Sequence, residues 1–295
     1  ASVVWSRLVK GRFPRALGFC APDSRRSFVL VFAQVFLRIP AVAAWLCAHA
    51  RDCQLTARGA GSCVLCALSR TREQLGLRVV PEILLHVGLI GQGAYRERQG
   101  ADVVVFVRAC LAAMREVECA AGRVAVLDDG MQVTHVDRLF GFRVEARRSC
   151  RRCRKTEVWF ESADVLRLAM PQDAACRSTL RELYLASCVS GVLTAADASL
   201  DRVCSECFAV DAILQRRLAS CPNVLLVQVV RAGEGGSVSR HEVEISENLE
   251  LDDIAGMQLV AVVYQSGASL VAGRYTCACR APDGGFFVFD DFCPG

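Results

Sequence analysis

The sequence has few lysines and no long apolar run. Lys10 and Lys155 are its two lysines, although lysine and arginine together number 35, against 31 acidic residues. The net charge of +4 is small for 295 residues and the basic residues are scattered, so the composition does not require a nucleic-acid partner. The apolar runs at 28–37 and 39–50 are bounded by arginine and fall short of the about 20 residues that a transmembrane helix needs. We therefore expect no membrane span.

Histidine is also scarce, with four residues, whereas cysteine is abundant, with 17. An odd number of cysteines in a chain that can bury a large core is not the pattern of a small disulfide-bonded secreted protein. Closely spaced cysteine pairs are typical of metal sites in a reducing compartment. We therefore expect an intracellular protein of the nucleus or cytoplasm. The segment before Asp23 is basic and lacks acidic residues, so an organelle-targeting remnant is an alternative to a solvated basic surface.

The hydrophobic pattern changes along the chain. The first part contains long segments that are apolar on a broad face, which predicts helices at 27–37, 42–50, 63–75 and 101–117. From about residue 140 onward, β-branched and aromatic runs predict strands at 142–146, 156–160, 224–230, 259–264 and 286–290, with a helix at 179–186 and a hairpin loop at 233–237. A helical part followed by a strand-rich, antiparallel part predicts an α+β fold rather than a doubly wound sheet.

Two cysteine pairs have the spacing of a structural zinc site. Cys150 and Cys153 form one pair, and Cys204 and Cys207 form the other. Four thiolates in two such knuckles complete the tetrahedral coordination of a structural Zn²⁺ ion. The alternative is four unrelated thiols buried in a cysteine-rich chain. We predict zinc as the cofactor here.

A second set of metal-ligand residues precedes the first. His49, Cys53, Cys63 and Cys66 provide the ligand number of another structural zinc site, with His49 at the end of one predicted helix and the last two cysteines at the start of the next. The alternative is an ordinary histidine near a helix end and cysteines that serve as small buried hydrophobic residues. We predict a second zinc ion at these residues.

Three segments near the C-terminus follow one another in a recognisable order. They are an apolar strand with a Ser-Gly turn at 259–267, a Gly-Arg-Tyr sequence at 273–275 and a Phe-Asp-Asp sequence at 289–291. This order resembles the histidine-containing motif of the ubiquitin-specific proteases, which have Gly-His-Tyr in the middle segment. Other landmarks of that family precede it in the expected order, namely Gln34, Pro40, the segment 106–111, the Leu-Phe-Gly sequence at 139–141 and the segment 222–231. The resemblance covers nearly the whole chain.

The resemblance implies a single papain-like α+β domain over residues 1–295. Its helical thumb lobe would comprise about 16–120, its zinc-stapled β fingers about 136–232, and its antiparallel β palm about 233–295. The palm would carry the altered histidine motif.

The family's chemistry is acyl transfer by a cysteine thiolate, with a histidine as general base and an aspartate or asparagine that orients it. By resemblance, these three positions fall on Ser27, Arg274 and Asp290. The asparagine that helps to bind the oxyanion falls near Pro22, which has no side-chain donor and no backbone N–H. Arginine cannot act as a base because its pKa stays above about 12. We therefore expect no functional catalytic site, and an ion pair between Arg274 and Asp290.

These substitutions predict a pseudo-deubiquitinase, an inactive relative that serves as a scaffold or protein-interaction subunit of a larger assembly. Ubiquitin binding is expected to be weak or absent, because Ser24, Arg26 and Arg274 place bulk and charge where the family admits the ubiquitin tail. The alternative is a ubiquitin or ubiquitin-like thiol hydrolase with residual or altered activity. That alternative would need another base, such as His241 or His135, beside Ser27.

A third hypothesis is a zinc-containing nucleic-acid-binding module. It rests on four basic residues around the first cysteine pair: Arg151, Arg152, Arg154 and Lys155. Such residues more often form a solvated surface, and no aromatic residue alternates with them. Nucleic acid is therefore a secondary expectation, after protein partners.

Overall fold

The structure of the protein is a computed structural model that describes residues 2–4, 18–19, 26–53, 63–77, 79–87, 90, 102–126, 132–170, 177–190, 203–210, 212–231, 239, 241–251, 254–266 and 274–290. Pro22, Ser24 and the predicted hairpin loop at 233–237 lie outside these residues.

The described helices lie mainly in the first part of the chain and the strands mainly in the second. In chain order they are β1 (Ser2–Val4), α1 (Ser27–Phe36), α2 (Pro40–Asp52), α3 (Val64–Glu73), α4 (Glu82–Leu85), α5 (Val103–Ala120), β2 (Ala125–Val126), β3 (Gln132–Val133), α6 (His135–Phe140), β4 (Phe142–Ser149), β5 (Thr156–Ala163), β6 (Leu166–Ala169), β7 (Ser178–Thr179), α7 (Leu180–Ser190), β8 (Ile213–Leu218), β9 (Val227–Val230), β10 (Val243–Ser246), β11 (Asn248–Leu251), β12 (Ile254–Gln258), β13 (Ala261–Ser266), β14 (Arg274–Arg280) and β15 (Phe286–Phe289).

The chain divides into two compact units. One comprises Ala1–Arg7 and Asp137–Gln258, and the other comprises Leu8–Val136 and Leu259–Gly295. Each unit therefore combines segments that are distant in sequence. The expected assignment of the chain to thumb, fingers and palm, over 16–120, 136–232 and 233–295, stays a prediction.

Helix α1 is the central helix of the unit that contains Leu8–Val136. Because apolar side chains cover most of its circumference, it is almost entirely buried. The rings of Phe28 and Phe32 meet the Phe106 ring of α5 edge-on, at centroid distances of 5.1 and 5.5 Å. The Cys279 thiol of β14 donates to the carbonyl oxygen of Gln34 at 3.8 Å. The helix thus joins α5 to the antiparallel sheet β13–β14–β15.

No single helix in the part of the chain that the structure describes is long and apolar enough to cross a membrane. Helices α1 and α2 meet the length and composition criteria only when they are taken together, and they are bent by 93° at the break between them. The break ends at Pro40, where proline suits a helix start because its missing N–H has no partner in the first turn.

The unit that contains Asp137–Gln258 is built on the antiparallel sheet β5–β4–β8. Ser149 at the end of β4 lies opposite both Thr156 of β5 and Ile213 of β8. The pair Cys150 and Cys153 follows β4 directly, and the other cysteine pair precedes β8. The sheet therefore brings both cysteine pairs to the same end.

Helix α7 packs on one face of this sheet. The buried core between them includes Phe142, Val144, Leu180, Leu183 and Leu218. The Tyr184 hydroxyl accepts a hydrogen bond from Leu218 N–H at 3.1 Å. The helix begins with a capping box, in which Glu182 N–H donates to Thr179 Oγ1 (3.2 Å) and Thr179 N–H donates to Glu182 Oε2 (2.7 Å).

The α+β organisation predicted from the sequence is confirmed. Every predicted helix and strand is present, with its ends shifted by a few residues. The sequence analysis missed several strands, including β8, in which Gln215, Arg216 and Arg217 interrupt the apolar pattern. Two short pairings, β6 with β9 and β7 with β10, are parallel rather than antiparallel.

Candidate metal centres and the Ser27 cluster

The four cysteines of the first predicted zinc site come together, and we name them the knuckle site. Cys150 Sγ lies 3.5 Å from Cys207 Sγ, and Cys153 Sγ lies 3.6 Å from Cys204 Sγ. All four sulfur atoms lie within 4.8 Å of one another. A tetrahedral zinc ion with bonds of about 2.3 Å separates its sulfur ligands by about 3.8 Å. The donor set and the spacing therefore fit Zn²⁺.

The two halves of the knuckle site have the same backbone turn. Arg154 N–H donates to the carbonyl of Cys150 at 3.1 Å, and Phe208 N–H donates to the carbonyl of Cys204 at 3.0 Å. The φ angles are +62° at Arg154 and +56° at Phe208. This left-handed region favours glycine, so a side chain at either position carries strain that the surrounding turn must hold.

Backbone N–H groups stabilise one thiolate in each knuckle. The N–H groups of Cys207 and Glu206 lower the pKa of the Cys204 thiol to about 6. The Cys153 N–H lowers the pKa of the Cys150 thiol. The thiolate is the form that binds a metal ion. The local backbone therefore prepares both knuckles for zinc.

Polar side chains join the two knuckles outside the sulfur atoms. Lys155 Nζ lies 2.8 Å from Glu206 Oε2 and 3.5 Å from Glu157 Oε1. Glu157 also accepts a hydrogen bond from the Ser205 hydroxyl and forms an ion pair with Arg148. Ser205 and Arg148 together lower the pKa of the Glu157 carboxyl to about 2. We name these five residues the knuckle latch.

The second predicted ligand set also comes together, and we name it the helix site. The donor atoms of His49, Cys53, Cys63 and Cys66 lie within 4.8 Å of one another, between the end of α2 and the first turn of α3. His49 Nε2 lies 3.2 Å from Cys63 Sγ. A tetrahedral zinc ion separates a nitrogen and a sulfur ligand by about 3.6 Å. Both sites supply four protein ligands, which is the donor number of a closed, structural zinc site.

Burial governs the charge of the helix site. Burial and the nearby Arg123 lower the pKa of His49 to about 4, so the ring is neutral, as a metal ligand must be. Burial raises the pKa of the Cys63 and Cys66 thiols, a cost that a bound divalent cation offsets. Arg123 Nη2 donates to the carbonyl of Asp52 at 2.9 Å, and its Nη1 lies 3.3 Å from His49 Nδ1. Arg123 therefore fixes the edge of the histidine ring at the end of α2.

The positions of the predicted catalytic group adjoin one another, and we name Ser27, Arg274, Tyr275 and Asp290 the Ser27 cluster. Ser27 begins α1, Arg274 and Tyr275 begin β14, and Asp290 follows β15. Tyr275 N–H donates to Ser27 Oγ at 3.0 Å. The expected ion pair between Arg274 and Asp290 is present. The Ser27 side chain is buried, with 8% of its surface exposed, and its oxygen acts as an acceptor.

The histidines have other partners. They are Cys63 for His49, Glu82 for His86 at 3.0 Å, the Trp45 ring for His135 at a centroid distance of 5.1 Å, and Ser178 for His241 at 3.0 Å. Among the residues that the structure describes, no histidine hydrogen-bonds to Ser27. Within the unit that contains Ser27, His135 packs on the Trp45 ring. A replacement base at His241 stays a hypothesis.

The segment that begins with α1 and runs past β15 matches a known family. The model of the family "Ubiquitin carboxyl-terminal hydrolase" covers residues 27–293. The chain belongs to the ubiquitin carboxyl-terminal hydrolase family. The expected resemblance to a ubiquitin-specific protease is thereby confirmed. Among curated proteins, no sequence matches the chain at a significant level.

Solved structures of deubiquitinase modules share the fold of this hydrolase-family chain. The SAGA DUB module of Ubp8, Sgf11, Sus1 and Sgf73 bound to monoubiquitin aligns with a TM-score of 0.70 and 18% identity, over 97% of this chain and 68% of that chain. The module bound to ubiquitin aldehyde aligns with a TM-score of 0.70 and 17% identity, over 98% and 68%. A yeast SAGA DUB module with an Sgf73 variant aligns with a TM-score of 0.65 and 18% identity, over 93% and 63%. At these identities the likeness establishes the fold.

Sequence reasoning finds the residues of both candidate metal sites but misses the contacts around them. Tyr275, Arg123 and the knuckle latch act through contacts between distant segments, for which local spacing gives no signal. Arg154 and Phe208 do have a signal, because each follows a cysteine knuckle at the point where the chain turns back. A residue other than glycine at this point of a knuckle indicates a strained backbone, as the positive φ angles of both residues show.

Proposed function

We propose that this hydrolase-family protein is a catalytically inactive pseudo-deubiquitinase that serves as a scaffold or protein-interaction subunit of a larger assembly. One observation carries the proposal: Arg274 occupies the predicted histidine position and is ion-paired with Asp290. Similar folds occur as one chain of a multi-subunit module, which supports a role within an assembly.

The chemistry of acyl transfer explains why this arrangement opposes catalysis. A serine hydroxyl is a weak nucleophile and needs a base within hydrogen-bond reach to remove its proton. The Arg274 guanidinium keeps its proton, because the pKa of arginine stays above about 12. Ser27 Oγ accepts from Tyr275 N–H, and Asp290 is paired with a cation instead of orienting an imidazole. Nucleophile, base and orienting group are thus all compromised at the positions that the resemblance assigns.

We expect this protein to bind ubiquitin weakly or not at all. The similar modules were solved with monoubiquitin or ubiquitin aldehyde bound. In this chain an exposed arginine, Arg26, directly precedes Ser27. Arg274, which is paired with Asp290, directly precedes Tyr275, whose N–H donates to Ser27. Charge and bulk at these positions oppose the insertion of a flexible, glycine-ended tail.

We also propose that the knuckle site and the helix site each hold a structural zinc ion. The donor sets and their spacings support this assignment. The described cysteines are all free thiols, which supports an intracellular, reducing location. Zinc at these sites would stabilise the fold and take no part in acyl transfer.

The test of inactivity is reaction of the purified protein with ubiquitin that carries a C-terminal electrophile. We expect no covalent adduct with the wild type and no retention on immobilised ubiquitin. The double variant Ser27→Cys/Arg274→His restores the family's nucleophile and base and is expected to gain slow adduct formation at high concentrations of the ubiquitin reagent, because Arg26 still opposes binding, whereas Ser27→Cys alone gains far less. An adduct on the wild type that Ser27→Ala abolishes would contradict the proposal.

A further inference from the structure

The sheet β5–β4–β8 has one open face. Along β4, Phe142, Val144 and Ala146 are buried beneath α7, and the alternate residues point the other way. The open face consists of Arg143, Glu145, Arg147 and Ser149 on β4, Thr156, Val158, Phe160 and Ser162 on β5, and Ile213, Gln215 and Arg217 on β8. A solvated face of an antiparallel sheet is normally polar.

Apolar residues lie on both edge strands of this open face, Val158 and Phe160 on β5 and Ile213 on β8, on either side of the polar residues of β4. Val158 and Phe160 are 49% and 51% exposed, and Ile213 is 40% exposed. Val210 and Phe208 precede β8 in the chain and are 75% and 76% exposed. Single exposed apolar residues are common, but five of them on one sheet face and the segment that leads into it indicate an interaction site.

Phe208 adds an observation of a different kind. Its φ of +56° is a conformation that glycine adopts freely and that a bulky side chain adopts only with strain. Since its ring is 76% exposed, the ring contributes little packing within the chain to offset that strain. The knuckle turn holds this conformation and leaves the Phe208 ring exposed to a partner.

The charges on the open face are mainly positive. Arg217 and Arg147 both contact the carboxylate of Glu145, at 3.1 and 3.7 Å. Arg143 stacks over the Phe160 ring, with its guanidinium carbon 4.6 Å from the ring centroid. Three arginines against one glutamate leave a net charge of +2 on this face (three minus one). A partner of complementary charge is therefore acidic.

These features select one class of partner. A second copy of the chain would bring like charges together. Single-stranded nucleic acid binds through a series of stacked aromatic rings, whereas this surface has two, Phe208 and Phe160, and Arg143 already stacks on the Phe160 ring. We infer that the open face, with Phe208 and Val210, binds an acidic protein segment that carries apolar side chains. The inference deepens the proposed interaction function, on which it rests, by naming the surface and the chemistry of the partner.

The experiment measures the binding of two fluorescent synthetic peptides to the full chain with its zinc. In one peptide glutamate alternates with leucine and phenylalanine, and in the other lysine replaces every glutamate. We expect the acidic peptide to bind, with an affinity that falls as salt is added, and the basic peptide not to bind. Phe160→Ser and Phe208→Gly should each weaken binding about fivefold or more, and Arg147→Glu with Arg217→Glu about tenfold.

Matched controls test the location. Leu85→Ser removes a 70% exposed apolar side chain in the other unit, and it should leave peptide binding unchanged. Unchanged zinc content and circular dichroism show that the open-face variants are folded. Equal binding of both peptides, or binding of the acidic peptide that the open-face variants do not weaken, would overturn the inference.

Two further probes, single-stranded RNA and ubiquitin, complete the design. If either binds more tightly than the acidic peptide and loses affinity in the open-face variants, the inference is overturned in favour of that ligand. The outcome for the proposed function is separate. An adduct with the ubiquitin electrophile beside intact peptide binding would overturn inactivity alone, whereas no adduct and no peptide binding would overturn this inference alone.

Discussion

Arg274 and Asp290 are both partly exposed, and this limits what their ion pair contributes to stability. The exposed fractions of the two side chains are 33% and 28%. Ion pairs that water reaches contribute about 0–1 kcal/mol to the free energy of unfolding. On the proposed assignment of Arg274 to the histidine position, the main consequence of the pair is chemical, because it keeps a cation and its counterion where an imidazole would have to act.

We predict that Arg274→Met lowers the free energy of unfolding by no more than about 1 kcal/mol. Urea denaturation of the single variants Arg274→Met and Asp290→Asn and of the double variant measures the coupling between them. A coupling of several kcal/mol would show that the ion pair contributes substantially to the stability of the fold.

The left-handed turn at Arg154 makes a second prediction at the level of a single residue. Arg154→Gly relieves strain and should be at least as stable as the wild type, whereas Arg154→Val should be less stable than the glycine variant by about 1–2 kcal/mol. Thermal unfolding of the zinc-loaded protein measures the difference. Arg152 lies in the same exposed turn without a positive φ, so Arg152→Val is the matched control and should have little effect.

At the scale of elements, the knuckle latch couples the turn after β4 to the segment before β8. We predict that Glu157→Gln speeds the transfer of zinc from the knuckle site to a chelator by about tenfold, because residues that surround metal ligands affect metal retention to this extent. A colorimetric chelator follows the release. Glu145→Gln changes a carboxylate on the open face of the same sheet and should leave the release rate unchanged.

The elements differ in how well the sequence predicts them. Helix α1 is predicted correctly because its apolar face is broad, with Ser27 and Gln34 as its two polar residues. Strand β8 is missed because Arg216 lies on its buried face, which hides the alternation. Arg216 is only 1% exposed and its guanidinium donates to Glu161 at 2.8 Å. A charge buried in this way depends on a partner from another strand, which no local pattern contains.

The same distinction applies to the candidate sites. The metal ligands are predictable because a knuckle confines two ligands to four consecutive residues, as at Cys150 and Cys153. The hydrogen bond from Tyr275 N–H to Ser27 is not predictable, since its partners are separated by 248 positions. The resemblance predicted that Arg274 and Asp290 lie close together, which local spacing could not, because it assigned both residues to one catalytic group.

For the whole molecule we predict two zinc ions per chain by native mass spectrometry. Cys204→Ser should lose one ion from the knuckle site and keep the other, and Cys66→Ser should do the reverse, because the two sites belong to different compact units. Loss of both ions in either variant would mean that the units depend on each other for metal binding. A wild type with one ion would show that the helix site or the knuckle site is only a cluster of thiols.

The separation of the knuckle ligands has a consequence during synthesis. Cys153 and Cys204 are 51 positions apart, so at about 5–20 residues per second the second knuckle leaves the ribosome roughly 3–10 s after the first. His49 and Cys63 are 14 positions apart and emerge within about 1–3 s of each other. The helix site can thus close early on the nascent chain, while the first knuckle waits with two unprotected thiols. Slower translation or oxidising conditions should therefore lower the yield of correctly folded protein by damaging Cys150 and Cys153 first.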